Sequence, residues 1–219
     1  MARSQEELYT RLCTVLSRIQ EFGLRLRSDK CQFYLKSIKY LGYIFDKDGR
    51  RPDPANIAAI QRMPAPSDLS NLRAFLGLIS YYSVFLPALH TIRAPLNRLL
   101  QKGTPWVWSN ECALSFKKLK SMLASDVLLT HYDPTLPIIV AADASSYGVG
   151  AVLSHRFPDG SEKAVIHAAR SLITAEKNYG QVEKEALALV FAVKRFHKYL
   201  CGRQCELLTD HKPLLSIFG

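Results

Sequence analysis

L-P-I-I-V-A-A-D-A-S-S-Y-G-V-G-A-V-L-S, residues 136 to 154, is where the pattern of this sequence changes. Its first part, Leu136 to Asp143, is a continuous apolar run closed by an acid, as in a strand buried on both faces. Its second part, Gly148 to Ser154, and the run A-V-I-H-A-A-R at 164–170 flank the turn signal Phe157-Pro158-Asp159-Gly160, which predicts a hairpin. Thr174 to Leu200 then has the spacing of one long helix, C-E-L-L-T-D at 205–210 reads as another buried strand, and a helical pattern starts at Leu214. The predicted order is three strands, a helix, a strand and the start of a helix. If the strands ending at Asp143 and Asp210 lie parallel and adjacent, both carboxylates emerge at the C-terminal edge of the sheet, where open α/β sheets place their sites.

The helix offers a third acid. Glu185 shares a stripe with Ala188, Leu189, Ala192 and Phe196, whereas Glu183 lies with Leu187 and Val190, and periodicity leaves the choice between the two open. A carboxylate on an apolar face is costly unless compensated, and several hard oxygen donors together suit Mg²⁺ better than a softer metal. A purely structural role is also open to each acid: Asp143 closing a turn, Asp210 capping a helix, Glu185 pairing across one helical turn.

Working back from residue 136, the pattern is different. Ser4 with Glu7 is a capping-box signature, and Leu8, Leu12, Val15, Leu16 and Ile19 predict a helix over 5–22. Alternation at Leu24, Leu26, Cys31, Phe33 and Leu35 predicts strands, and I-K-Y-L-G-Y-I-F, 38–45, a hairpin. From Arg51 to Ala124 everything reads as helical, with prolines as punctuation. Asp53-Pro54 opens one helix, Ser67 caps a second, Ala94-Pro95 opens a third that stops at Gly103, and Glu111 to Leu123 forms a fourth.

With 219 residues, 48% hydrophobic and 22% charged, the chain has a globular composition. Its longest apolar runs fall short of the roughly 18–20 residues of a membrane span, and its start lacks a signal-peptide core, so a soluble, intracellular chain with no membrane partner is expected. Five scattered cysteines without a C-x-x-C pair predict reduced core residues. The net charge of +10 is concentrated early: residues 1–130 carry +9 and residues 131–219 carry +1. A basic first part suits a polyanion, because Lys and Arg contacts to phosphate release counterions.

Several stretches together resemble one family. ADASSYGVGAVLSH (142–155), EKNYGQVEKEALALVFAVKRFHKYL (176–200) and LLTDHKPLLSIFG (207–219) resemble the RNase H domain of gypsy-type LTR-retrotransposon Pol polyproteins. GLRLRSDKCQFYLKSIKYLGYIF (23–45) resembles the end of the reverse-transcriptase palm. LRAFLGLISYYSVFLPAL (72–89) and APLNRLLQKGTPWVWS (94–109) resemble the thumb and the segment after it. The resemblance implies an α/β chain: a palm end with a β-hairpin over 1–50, a helical thumb-like domain over 51–104, a connecting segment over 105–135, and a partial RNase H-like domain with a mixed sheet over 136–219.

It also implies a chemistry. The family's D-A-S, E-K-E and T-D-H acids fall on Asp143, Glu185 and Asp210, which would bind two Mg²⁺ ions, or Mn²⁺ in their place, and cleave the RNA strand of an RNA/DNA hybrid. The hairpin residues Tyr40, Leu41, Gly42 and Tyr43 would correspond to the primer grip, and Arg73, Lys117 and Lys118 would add charge for a primer–template duplex. The departures are that Tyr43 stands where a histidine is usual, Ser83-Val84 where a basic residue follows the tyrosines, and Ala169 where a serine precedes Arg170. The family's fourth carboxylate would lie beyond Gly219 and its polymerase Asp-Asp pair before Ser4, so the resemblance implies weak or absent nuclease activity and no polymerase site in these residues. The alternative is an inactive module that grips nucleic acid or the rest of Pol, or a decayed retroelement relic.

Overall fold

Two units make up the chain, Met1–Lys36 and Ser37–Gly219, and the computed structural model describes residues 4–125, 127–209 and 213–214 of them. In the first unit, helix α1 spans Gln5–Glu21. The Ser4 hydroxyl accepts the Glu7 N–H at 3.1 Å, as the capping signature predicts. The strands expected from the alternation at 24–35 do not form. A short 3₁₀ turn at Ser28–Lys30 and irregular backbone with Tyr34 at φ 58° replace them. Alternation specifies a strand only when a neighbour completes the ladder, and among the described residues of this unit none does.

The second unit opens with an antiparallel sheet of β1 (Ile38–Tyr40), β2 (Tyr43–Phe45) and β3 (Arg50–Pro52). Leu41 and Gly42 form the two-residue turn, both at positive φ (47° and 71°), the conformation that matches the twist of a hairpin. Strand β3 corrects the all-helical reading from Arg51. Its backbone pairs with β2 on one side, and Arg50 bridges Leu129 on the other.

Four helices follow: α2 (Pro54–Arg62), α3 (Leu69–Tyr81), α4 (Leu89–Leu99) and α5 (Asn110–Ala124). Asp53 caps α2 as expected. Helix α3 is capped by Asp68, one residue after the predicted Ser67, through the Asn71 N–H at 2.8 Å, while Ser67 holds the Asn71 side chain at 3.0 Å. Helix α4 departs most from expectation: it starts six residues before Pro95 and ends at Leu99. Pro95 therefore interrupts the helix, a cost of about 3 kcal/mol, offset by burial of Leu89, Leu96 and Leu99. These side chains join Leu72, Phe75, Ile79, Phe85, Phe116 and Leu119 in the first core, where the Phe75 and Phe116 rings lie 4.6 Å apart.

The second core belongs to a mixed sheet. Strands β4 (Ile138–Ala144), β5 (Gly148–Arg156), β6 (Glu162–Ser171) and β7 (Cys205–Leu208) take the order β6-β5-β4-β7, with only the β4–β7 pair parallel. The helix expected over 174–200 divides into α6 (Thr174–Lys177) and α7 (Gln181–Leu200). Gly180 separates them, and its N–H is held by the Glu183 carboxylate at 2.7 Å. On one face of the sheet, Ile138, Val140, Ala142, Val149, Ala151 and Leu153 pack against Ala188, Leu189, Ala192 and Phe196 of α7. The opposite phase of β5 meets α4: a Cβ on Gly148 would lie 2.7 Å from the His90 Cβ, and one on Gly150 3.1 Å from its ring. The sheet is thus covered by α7 on one side and α4 on the other.

Of the five cysteines, only Cys112 is buried; Cys13 and Cys201 are exposed, contrary to the expectation of core thiols. Among the described residues no helix is long and apolar enough to cross a membrane. The packing of α4 on β5 yields a paired prediction. Gly148→Ala is expected to destabilise the fold by about 2–4 kcal/mol, because backbone and His90 must both shift. Gly77→Ala, with nothing near its Cβ on α3, should stabilise by about 0.5–1 kcal/mol. Urea midpoints of the two variants against wild type check both signs.

Candidate functional site

Strand β4 alternates between its faces. Ile138, Val140, Ala142 and Ala144 are buried beneath α7, and Asp143 falls on the other phase, exposed, one residue before the strand ends. Its neighbour across the ladder is Gly150, which leaves the carboxylate without a side chain beside it on β5. On the other flank β4 runs parallel to β7, in a register whose last pair is Ala141 with Leu208. The two strands therefore finish at one edge of the sheet, as the apolar runs predicted. Asp210, two residues further in sequence, lies outside the described residues, as does most of the helical pattern from Leu214 onward.

Glu183 and Glu185, which periodicity does not separate, differ in position. Glu183 is exposed and tied to the start of α7 through the Gly180 N–H. Glu185 is 4% exposed. Its Oε1 accepts from the Gln181 side-chain amide at 2.6 Å, and the same nitrogen reaches the Ala144 carbonyl at 3.4 Å. One amide thus links the buried carboxylate to the end of β4, beside Asp143.

Both described acids are hard oxygen donors at one strand end and on the helix that covers it, a donor chemistry that fits Mg²⁺ or Mn²⁺ and excludes soft-metal preference. Among the described residues no group of three His, Cys, Asp or Glu side chains comes together, and the third predicted acid is Asp210.

The exposed face of β4 leads to a feature the sequence reading passed over. A cavity of about 250 Å³ is lined by Asp143, Gly150, Val152, His167, Pro87 and His90. The His90 imidazole is 5% exposed, and neither ring nitrogen has a hydrogen-bond partner among the described residues. Burial pushes its pKa below the usual imidazole range, against the opposing pull of the Asp143 charge. The signal was Gly148-Val-Gly150: two glycines in one phase of a strand mark a close approach by another element.

The predicted nucleic-acid residues divide by environment. Tyr40 and Leu41 are 61% and 65% exposed at the hairpin tip. Tyr43 is half-buried: its ring stacks on Tyr81 at 5.2 Å and its hydroxyl donates to the Tyr81 carbonyl at 2.9 Å. Burial, with Tyr81 and Tyr82 beside it, raises its pKa well above the usual phenol range. Gly42 fits beneath the Tyr82 hydroxyl and the Asn56 amide, 3.1 and 3.0 Å from where a Cβ would lie. The Tyr81 hydroxyl donates to the Leu41 carbonyl, so the C-terminal turn of α3 holds the hairpin tip. Arg73 on α3 and Lys117 and Lys118 on α5 are exposed.

Residues 108–207 match the RNase H-like domain found in reverse transcriptase. The chain is 36% identical over 201 residues to the retrovirus-related Pol polyprotein from transposon 297 of Drosophila melanogaster. It is 35% identical over 214 residues to that from transposon gypsy of the same organism. These alignments cover 91% and 92% of this chain but only 18% and 20% of the relatives, so the chain spans about a fifth of their length. A Tf2-3 transposon polyprotein of Schizosaccharomyces pombe is 30% identical over 98% of the chain and 16% of its own length. Among solved structures, the foamy viral protease-reverse transcriptase in complex with an RNA/DNA hybrid superposes with a TM-score of 0.77 over 98% of this chain and 30% of that one, at 20% identity, a likeness of fold. Residues 108–207 thus carry the RNase H-like domain found in reverse transcriptase, and the homologues of the chain as a whole are Pol polyproteins of gypsy-type retrotransposons.

Proposed function

We propose that this chain supplies the RNase H step of a retrotransposon Pol polyprotein: hydrolysis of the RNA strand of an RNA/DNA hybrid. The observation that carries this reading is the link from Glu185 through Gln181 to the end of β4, which brings a buried carboxylate to the strand end that presents Asp143. Asp143 is exposed between Ala142 and Ala144, which carry the packing of β4 on the α7 face, so the strand's packing there does not depend on the acid.

In this reading Asp143, Glu185 and Asp210 hold two Mg²⁺ ions, for which Mn²⁺ substitutes. Bound there, divalent cations supply an activated water and neutralise charge on the leaving 3′ oxygen. The remaining work belongs to the chain. Gln181 orients the Glu185 carboxylate by donating to one oxygen, and α7 shields that carboxylate from bulk water, which strengthens its attraction for a cation. The sheet edge places Asp143 in solvent, open to a substrate phosphate. Tyr40 and Leu41 at the hairpin tip, with Arg73, Lys117 and Lys118, would bear on the duplex, and the rest of the Pol polyprotein would present it.

Cleavage of an end-labelled RNA/DNA hybrid by the purified chain in Mg²⁺, then in Mn²⁺, tests the reading directly. Asp143→Asn and Glu185→Gln are each expected to lower the rate at least ~100-fold, while Glu183→Gln should leave it within about twofold. Equal activity in Asp143→Asn and wild type would sink the assignment. Hybrid binding without cutting by wild type would replace it with a gripping module.

The hairpin yields a second separation. Tyr40→Ala should weaken hybrid binding several-fold with the melting temperature unchanged. Tyr43→Ala should instead destabilise by about 2–4 kcal/mol, as loss of a packed aromatic ring does. Binding measured beside thermal melts distinguishes the two, and a fall in stability for Tyr40→Ala would remove it from the duplex contact set.

A further inference from the structure

One turn of α4 beyond His90, Arg93 presents an unusual environment for a guanidinium. Its Nη1 donates to the Ser80 hydroxyl at 2.9 Å. Its Nε is shielded from solvent and has no acceptor among the described residues. No carboxylate forms an ion pair with it among the described residues, whereas Arg98, five residues further on, pairs with Glu111 at 2.8 Å. Burial alone lowers the Arg93 pKa, with no neighbouring acid acting against it. A partly buried cation without a counter-charge is unfavourable, and an anion bound beside it removes the penalty.

The space for one adjoins it. A cavity of about 150 Å³ lies between α4 and the end of β6, lined by His90, Arg93, Asn97, Ala169, Arg170 and Ser171. That is several times the ~10–15 Å³ a single water needs. Arg170, on the opposite wall, is already neutralised: its two terminal nitrogens hold the Glu176 carboxylate at 2.7 and 2.9 Å. Arg93 is therefore the uncompensated charge of this cavity. Ser80 occupies Nη1 and Nε is shielded, which leaves Nη2 as the guanidinium nitrogen to meet a phosphate oxygen. Asn97 adds an amide and Ser171, exposed at the rim, a hydroxyl.

We propose that Arg93, with Asn97 and Ser171, forms a phosphate-binding site between the helical domain and the sheet. Its source is either a backbone phosphate of bound nucleic acid or free phosphate. The first source rests on the proposed function; the second does not, which keeps the two ideas separable.

Two measurements on the purified chain test it, each with Arg93→Gln and the control Arg98→Gln. In the first, melting temperature is followed with added inorganic phosphate against chloride at equal ionic strength. Wild type and Arg98→Gln are expected to be stabilised by phosphate and Arg93→Gln not. In the second, the affinity for an RNA/DNA hybrid is measured against salt. Arg93→Gln is expected to reduce the slope of log K on log[salt] by about 0.9, the amount for one phosphate contact. If wild type binds no hybrid but phosphate stabilises it through Arg93, the site stands with free phosphate as its source, and the proposed function fails alone. If Arg93→Gln changes neither response, the site is overturned. Should that variant melt too early to assay, Ser171→Glu must cause the same losses by setting a negative charge at the cavity rim, and retention of both responses in it overturns the site equally.

Discussion

Strand β4 is hemmed in on every side, and the remainder of the RNase H-like domain follows from how its neighbours are accommodated. It pairs antiparallel with β5 and parallel with β7, and one of its faces lies beneath α7. A parallel neighbour cannot be reached by a tight turn, so the chain must cross over, and α7 is that crossover. Because the crossover lies on the face shared by Val140, Ala142 and Ala144, the alternate phase is left to Asp143. The same constraint that buries the strand therefore chooses which residue meets solvent at its end.

The other face of the sheet is closed differently. Strand β5 carries glycine at 148 and 150, and the space of two missing side chains is filled by His90 from α4. This is a junction between two cores: α4 buries Leu89, Leu96 and Leu99 in the helical cluster while His90 reaches to the sheet. The helical segment and the RNase H-like sheet are thus packed as one body through a close backbone approach. Polar groups caught at that junction, His90 and Arg93, are held with fewer partners than burial ordinarily demands.

The hairpin of β1 and β2 shows a similar division of labour among adjacent residues. Tyr43 packs into the aromatic group of Tyr81, Tyr82 and Phe85, and Gly42 is confined by Tyr82 and Asn56. Tyr40 and Leu41 remain outside. Four consecutive residues that the family resemblance treats as one element thus divide by environment, the second pair packed and the first exposed.

Much of this was legible in the sequence. Apolar runs closed by Asp143 and reaching toward Asp210, a hairpin marked by Phe157-Pro158-Asp159-Gly160, and the start signals at Ser4 and Asp53 are local patterns, and local patterns determine elements through hydrogen bonding and side-chain spacing over a few residues. What depended on distant partners was not legible. Alternation at 24–35 produced no strand because no neighbour among the described residues pairs with it; Arg51 joined a strand because Ile44 of β2 lies opposite it in the ladder; α4 ran through Pro95 because burial of its leucines outweighs one interrupted turn. That Glu185 and not Glu183 is enclosed was likewise tertiary, since both fit a helical stripe and only packing against β4 separates them. By itself the sequence determined the apolar run that reaches Asp143, most of the helices and the resemblance to Pol polyproteins; the tertiary structure decided which glutamate of α7 is buried, what fills the space above two glycines, and that Arg93 is partly buried with no ion pair among the described residues, because burial and charge compensation are properties of neighbours in space, not in sequence.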